Sequence, residues 1–333
     1  MTTHKLVRVK IDDLRVGMYV VLNLAWYEHP FLKGEFLVTS EADIRKLKSL
    51  GLKEIAVDSS QSQLKTDANP LKQTQKHAPE EKKEAREIIP TALFESIHDE
   101  RMPPQQKAAI VQQHSFTMMK NLLDSPSAEN IKEAKKGISE VVNLILKDDA
   151  TLFYLLNITE HDYYTYTHSV SVGVLGVALS KSLFKKSSAH DIHALGAGFF
   201  LHDIGKVHID LNIINKPGKL TDEEMNEMRR HPALGYKLLT ETKQLTEESK
   251  IIVLQHHERA DGKGYPKGLH ADEIHIYGKI CAIADVYDAL TSERPYKKKM
   301  LPFEALRLMH DQMINHFQKD MFEKFVLLLR APS

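Results

Sequence analysis

The N-terminal part of the chain alternates apolar and polar side chains over short runs, as half-buried strands do. Val7 to Ile11 has this alternation. Further short strands are predicted at Met18 to Leu22, Phe36 to Val38 and Glu54 to Val57. Ser40 and Asp43 resemble a capping signal, which predicts a helix that ends at Leu50. The pattern predicts a small β-rich domain with one helix over residues 1–58.

A polar segment at residues 59–83 separates this region from the rest of the chain. It is rich in Gln, Ser, Lys and Asn, so it buries too little apolar surface to offset the entropy lost on ordering. We interpret it as a linker. From about Glu84 onward apolar residues recur at helical spacing, which predicts a helical connector over residues 84–136 and an all-helical domain over residues 137–333. The predicted fold class is therefore mainly α, with a small β-rich α/β domain ahead of an all-helical one.

Several helices in the second region have recognisable boundaries. Thr221 and Glu224 form a capping box after the turn at Pro217 and Gly218. The helices predicted around the polar residues discussed below are Tyr164 to Val177, Glu247 to His257, Ile280 to Leu290 and Pro302 to Met313.

The composition restricts the partners and the compartment. Lys and Arg together number 45, as do Asp and Glu, so the formal net charge is zero and neither a nucleic-acid polymer nor a membrane surface is expected as a partner. Cys281 is the single cysteine, which excludes an internal disulfide and fits a reducing compartment. Met1 to Lys10 lacks the apolar segment of a signal peptide, and no run approaches the ~18 apolar residues of a membrane span. We therefore expect a cytoplasmic protein.

The chain contains 18 histidines, and several of them lie within or next to strongly apolar helices. Together with two aspartates in similar settings, they give seven candidate metal ligands: His168, His202, Asp203, His231, His256, His257 and Asp285. A buried polar group without a partner costs about 1–3 kcal/mol, and groups on different helices can satisfy one another around metal ions. Imidazole and carboxylate suit Fe, Mn or Zn, and the absence of cysteine ligands argues against a structural zinc site. Asp203 is the candidate bridge between two ions.

Each of these residues also has an ordinary structural interpretation. A lone histidine such as His114 is more often solvated than a ligand, and Asp285 alone could be a carboxylate that packs between helices. The adjacent pairs His202–Asp203 and His256–His257, each at a helix end, favour a metal site when they are taken together.

The candidate ligands fall within longer motifs. These are His202-Asp203-Ile204-Gly205-Lys206, His231-Pro232, His256-His257-Glu258-Arg259, Asp261-Gly262-Lys263-Gly264-Tyr265-Pro266 and the block from Asp285 to Tyr296. In this order they resemble the HD-GYP subfamily of the HD-superfamily metal phosphohydrolases. The resemblance covers about Gly137 to the C-terminus and implies an all-helical HD-superfamily domain. The first region is similar, through Asp12 to Met18 and Trp26 to Phe31, to a small domain of unknown role often found ahead of HD-GYP domains.

The resemblance implies a phosphodiesterase that hydrolyses cyclic di-GMP, a bacterial second messenger, to pGpG, GMP or both. It implies two divalent ions, Fe or Mn, held by the seven candidate ligands. Asp203 and Lys206 become the candidate catalytic residues, and Lys206, Arg294 and Lys297 occupy phosphate-contacting positions. Cations at these positions agree with the negative charge of the substrate. The planar guanidinium of arginine also matches the geometry of phosphate oxygens.

Two finer expectations come from the same resemblance. Gly264, Tyr265 and Pro266 form a loop that we expect to build a rigid turn, and relatives use this loop near the site and as a surface for diguanylate cyclase (GGDEF) partners.

Some relatives hold a third ion through a glutamate one helical turn before the first histidine. Here that position, one turn before His168, is Tyr164, and a neutral phenol is a poor ligand beside carboxylates. We therefore expect two ions, not three. The sequence is also compatible with a homodimer.

Other functions stay open at this point. One is an HD phosphohydrolase that acts on another nucleotide, such as (p)ppGpp, and the Gly-Tyr-Pro block argues against it. Another is a catalytically weak domain that binds a nucleotide or a partner without turnover, and the complete set of candidate ligands argues against that. Cyclic GMP-AMP is an alternative substrate of the same kind of site.

Overall fold

The structure is a computed structural model of the 333-residue chain. It describes residues 6–21, 35–38, 41–48, 52, 54–58, 87–158, 164–185, 187–216, 218–292 and 299–330. The chain divides into two compact units, Met1–Lys82 and Lys83–Ser333. Within the described ranges, no helix combines the length and apolar character needed to cross a bilayer. The linker predicted at residues 59–83 lies outside the described residues, and the domain boundaries stay predictions.

The first unit is a four-stranded antiparallel sheet with one helix. Its elements are β1 (Leu6–Lys10), β2 (Tyr19–Val21), β3 (Glu35–Leu37), α1 (Glu41–Lys48) and β4 (Glu54–Asp58). The strand order is β1-β4-β2-β3, so Val57 on β4 pairs with Val7 on one side and Val20 on the other. The predicted strands and helix are confirmed, and the described ends differ from the prediction by at most one residue, while Leu22, Ser40 and Leu50 lie outside the described residues.

The second unit is helical. Its helices are α2 (Thr91–His98), α3 (Pro104–Asp124), α4 (Ala128–Lys147), α5 (Asp149–Asn157), α6 (Thr165–Leu183), α7 (Ile192–Phe200), α8 (Leu211–Ile214), α9 (Asp222–Met228), α10 (His231–Thr242), α11 (Glu247–Gln255), α12 (Ile276–Thr291), α13 (Pro302–Met313) and α14 (Lys319–Leu328). Short 3-10 segments lie at Ile204–His208 and Ile314–His316. One hydrophobic cluster runs through this unit from Ile88 to Phe325. The prediction of a mainly α fold is confirmed.

Local capping explains where these helices begin. The capping box predicted at Thr221 and Glu224 is present at the start of α9, with both reciprocal hydrogen bonds formed. The helix predicted from Ile280 begins four residues earlier, at Ile276, because the His275 side chain accepts a hydrogen bond from the Tyr277 amide. Helix α13 has the predicted bounds, with Pro302 at its first position.

Close packing brings the site-bearing elements together. Helix α6 crosses α7 where Gly173 faces the ring of Phe200, and a Cβ at that glycine would overlap the ring. Similarly, Gly205 lies directly against the backbone carbonyl of His231, so no side chain fits between the turn after α7 and the start of α10. Both contacts bring histidine-bearing elements close together.

Candidate metal centre

The structure brings all seven predicted ligands into one buried cluster. Their potential ligand atoms form two groups, and within each group these atoms all lie within 4.8 Å of one another. The first group is His168, His202 and Asp285, and the second is Asp203, His231, His256 and His257. These residues come from α6, the turn after α7, the start of α10, the end of α11 and α12. Arg294 and Lys297 lie outside the described residues, so their predicted contacts stay predictions.

Asp203 lies between the two groups. Its Oδ2 atom is 3.6 Å from His168 Nε2 and 3.5 Å from His202 Nε2. Its Oδ1 atom is 3.2 Å from His231 Nε2 and 3.7 Å from His256 Nε2. Each carboxylate oxygen thus faces the histidines of one group, which is the arrangement that a bridging carboxylate requires.

Hydrogen bonds at the outer ring nitrogens fix how the histidines point. In three of them Nδ1 donates to the backbone carbonyl three residues earlier: His202 to Phe199 at 2.8 Å, His231 to Met228 at 2.7 Å and His256 to Val253 at 2.8 Å. His168 lies within a helix and instead bonds a carboxylate, with its Nδ1 2.7 Å from Asp288 Oδ2. A carbonyl can only accept, so these bonds put the proton on Nδ1 and leave the inward Nε2 as a lone pair.

The inward lone pairs and one oxygen fit a cation. Nε2 of His168 is 3.3 Å from Nε2 of His202, and Nε2 of His231 is 3.2 Å from Nε2 of His256. Because the protons are on Nδ1, the two Nε2 atoms of each pair are both hydrogen-bond acceptors, and neither can donate to the other. Asp203 Oδ1 is buried and accepts no hydrogen bond, even though His231 lies beside it. A buried acceptor of this kind is costly unless a cation satisfies it. The residues present therefore fit a metal site of imidazole and carboxylate ligands.

The carboxylates of the cluster are ionised. Burial raises the pKa of Asp203, but the Lys206 ammonium, 2.5 Å from Oδ2, and His202 lower it further, so that pKa ends well below its ordinary range. Burial likewise raises the pKa of Asp285, but the neighbouring rings of His168, whose Nε2 is 3.0 Å from Oδ1, and of His257 lower it, so that pKa ends far below its ordinary range.

Two histidines of the second group, His256 and His257, are neutral. Burial lowers the pKa of His256 well below its ordinary value, and the neighbouring His257 lowers it further. Burial also lowers the pKa of His257, from 6.5 to about 3, although Asp285 opposes this change. Ionised carboxylates and neutral imidazoles are the forms that bind metal, so Asp203, Asp285, His256 and His257 are in their ligating forms at neutral pH.

One side of the cluster opens to solvent. The side chains of His257 and Asp285 are 24% and 10% exposed and that of Lys206 is 13% exposed, whereas the other candidate ligands are at most 1% exposed. The Tyr265 ring borders this opening, with its centroid 4.6 Å from that of His257. Burial raises the pKa of Tyr265, and Asp285 raises it further, so the phenol stays neutral.

The Gly264-Tyr265-Pro266 loop is tied to the end of α11. The Tyr265 amide donates to the His257 carbonyl at 3.1 Å, and the peptide bond between Tyr265 and Pro266 is cis. Glu258 is buried and accepts from the amides of Lys267 at 2.7 Å and Leu269 at 2.9 Å. The loop is therefore anchored to the residues that follow α11, and its tyrosine lies at the open side of the cluster.

The roles of Asp288 and Glu258 were not predicted from the sequence. Asp288 is one turn after Asp285 in the same apolar helix, so its position on the same helix face was the available signal. For Glu258, the sequence gives its place beside the histidine pair but contains no signal for the donor amides of Lys267 and Leu269 about ten residues later.

Comparison with known proteins agrees with this geometry. Two family models match: one described as an HD domain over residues 158–321, and one described as a domain of unknown function, DUF3391, over residues 6–147. A cyclic di-GMP phosphodiesterase of Pseudomonas aeruginosa is 35% identical over 328 residues, which cover 96% of this chain and 75% of that protein. A 3′3′-cGAMP-specific phosphodiesterase of Vibrio cholerae is 31% identical over 64% of this chain and 47% of its own length.

A solved structure supports the fold. A HDG"Y"P protein from Bdellovibrio bacteriovorus superposes with a TM-score of 0.63 at 18% identity and covers 98% of this chain and all of that one. The extent of the Pseudomonas aeruginosa match and the two family models identify the chain as a member of the HD-GYP family of HD-domain phosphohydrolases, with a DUF3391 domain ahead of the HD domain.

Proposed function

We propose that the chain is a metal-dependent phosphodiesterase that hydrolyses a cyclic dinucleotide, with cyclic di-GMP as the first candidate and pGpG, GMP or both as product. The observation that supports this most directly is the position of Asp203, whose two oxygens face two separate groups of histidines. The similarity to a cyclic di-GMP phosphodiesterase over 96% of the chain supports the choice of substrate.

The metal content follows from the ligand set. HD-domain phosphohydrolases are metal dependent, and the His/Asp cluster here could hold metals. We assign one ion to His168, His202 and Asp285 and one to His231, His256 and His257, with Asp203 shared. Mixed imidazole and carboxylate ligands make Fe or Mn the candidate metals. When bound, two such cations supply Lewis acidity and lower the pKa of water towards neutrality.

Several side chains near the cluster have specific roles in this proposal. Lys206 keeps Asp203 ionised and, at the edge of the opening, can offer its positive charge to a phosphodiester oxygen. Arg294 and Lys297 are proposed as further phosphate contacts on the strength of the family motif. Cys281 is not a nucleophile, because it is buried and burial raises its thiol pKa well above the ordinary value.

Three finer expectations belong with this proposal. A diguanylate cyclase partner at the Gly264-Tyr265-Pro266 loop, a homodimer and a cytoplasmic location remain predictions. The similarity to a 3′3′-cGAMP-specific phosphodiesterase makes cyclic GMP-AMP the second candidate substrate.

A substrate panel tests the proposal. The purified, Mn²⁺-supplied protein is incubated with cyclic di-GMP, 3′3′-cyclic GMP-AMP, cyclic di-AMP and ppGpp, and the products are separated by chromatography. We expect hydrolysis of a guanine-containing cyclic dinucleotide. Asp203→Asn, which keeps the side-chain shape, should reduce kcat to background, because metal catalysis supplies several kcal/mol and each ~1.4 kcal/mol is tenfold.

The control variant is Asp149→Asn, which changes an exposed carboxylate that belongs to neither ligand group. It should keep wild-type activity. An Asp203→Asn protein that retained more than about a tenth of wild-type kcat would contradict the ligand assignment, and turnover of ppGpp alone would contradict the substrate class.

A further inference from the structure

Arg229 lies at the open side of the candidate metal centre and has no task in the mechanism above. It occupies the short connection between α9 and α10, two residues before His231. Its backbone is fixed, since the Arg229 amide donates to the Met225 carbonyl at 2.9 Å, whereas its side chain is exposed.

The guanidinium of Arg229 is held by an aromatic ring. Its Cζ atom lies 5.7 Å from the centroid of Tyr265, within the range of a cation–π contact. The Tyr265 ring in turn packs against His257, and its centroid is 6.4 Å from that of His231. Arg229, Tyr265 and His257 therefore form a stack that leads from the surface to the open edge of the cluster.

The charge of Arg229 is not neutralised by the part of the chain that the structure describes. Four other cations of this unit each bond a carboxylate: Lys206 bonds Asp203, Lys216 bonds Glu224, Arg230 bonds Glu227 and Arg259 bonds Asp261. For Arg229, no carboxylate among the described residues lies within ion-pair distance. A ring contact of this kind orients a guanidinium while its N–H donors stay free for an anion.

A cyclic dinucleotide offers a second anionic group that a cation at this opening could bind. A cyclic dinucleotide has two phosphodiesters, and only one of them can lie against the candidate ligands while it is hydrolysed. The other phosphodiester keeps its negative charge and must be bound elsewhere at the opening. Lys206 is already bonded to Asp203 inside the cluster, so it serves the first phosphodiester rather than the second.

We propose that Arg229 is a substrate-binding residue that contacts the uncleaved phosphodiester of the cyclic dinucleotide, with Tyr265 holding the guanidinium in place. This inference rests on the proposed function. It predicts that Arg229 contributes to substrate affinity and discrimination and not to the metal centre itself.

The adjacent residue offers a matched control. Arg230 is also exposed and carries the same charge, but it is bonded to Glu227 at 2.9 and 2.7 Å. Steady-state kinetics on Arg229→Ala, Arg229→Lys and Arg230→Ala are compared with cyclic di-GMP and with bis(p-nitrophenyl) phosphate, which has a single phosphodiester. Metal content and melting temperature are measured for each variant.

For cyclic di-GMP, Arg229→Ala should raise KM about ten- to a hundredfold, with a change in kcat of less than about threefold and unchanged metal content. Arg229→Lys should lie between Arg229→Ala and the wild type, because it keeps the charge without the planar fork. Arg230→Ala should stay within about twofold of the wild type. The loss of kcat/KM caused by Arg229→Ala should be at least about tenfold larger for cyclic di-GMP than for the single phosphodiester.

Two outcomes would overturn the inference in distinguishable ways. If the wild type hydrolyses cyclic di-GMP but Arg229→Ala behaves like Arg230→Ala, or loses both substrates equally, the inference fails and the proposed function stands. If the wild type hydrolyses no cyclic dinucleotide, the proposed function fails and the inference fails with it.

Discussion

The bond between His168 and Asp288 gives the most specific test of how the cluster is organised. Both side chains are buried, at 1% and 4% exposure, and the Nδ1 to Oδ2 distance is 2.7 Å. Asp288→Asn keeps an acceptor oxygen of similar shape but removes the negative charge that makes the imidazole a stronger ligand. A partner of this kind typically changes metal affinity by 10- to 100-fold, or about 1.4–2.7 kcal/mol.

The assay is calorimetric titration of chelated protein with Mn²⁺. Because His168 belongs to only one of the two groups, we expect one binding step to weaken about 10- to 100-fold while the other changes little. Ser292→Ala is the control, since it removes the hydroxyl bond to the same Asp288 oxygen, 3.1 Å away, and leaves the bond to His168. Equal weakening of both steps, or an affinity like that of the wild type, would refute the reasoning.

Three further predictions concern the site. Arg294→Ala should lower kcat/KM by about 1.5–3 kcal/mol at unchanged metal content, because it removes one phosphate contact; metal lost along with activity would contradict that role. Anomalous diffraction should locate two ions and not three, because Tyr164 stands one turn before His168, and a third strong peak beside His168 would be the contrary result. The free energy of unfolding of the chelated protein should fall as pH drops below about 6.5. In that range His257 takes up a proton in the unfolded chain but not in the folded protein, where its pKa is about 3. Urea melts at several pH values measure this slope, and His257→Gln should flatten it; an unchanged slope would count against the assignment.

Much of the fold and the site could be predicted because local signals and buried polar residues are both visible in the chain. The capping box at Thr221 and Glu224 depends only on residues three positions apart, and the structure contains it. The seven candidate ligands were recognisable because imidazole and carboxylate groups stand out in apolar helices, and the structure brings them together.

What could not be predicted depends on contacts between distant parts of the chain. The acceptors for His202, His231 and His256 are backbone carbonyls, which every residue has, so no residue type marks them. The stack of Arg229 on Tyr265 joins residues 36 positions apart, and only the fold reveals it. The start of α12 at Ile276 was missed because a histidine cap is an uncommon signal.

We propose that this cluster, when it holds two metal ions, is the site at which the protein hydrolyses a cyclic dinucleotide. The most direct test is to remove metal with a chelator and follow cyclic di-GMP hydrolysis while Mn²⁺ is titrated back. We expect no activity in the metal-free protein and a rise in activity that saturates near two equivalents of Mn²⁺ per chain. Activity in the metal-free protein, saturation at one equivalent, or no cyclic dinucleotide hydrolysis at full metal loading would contradict it.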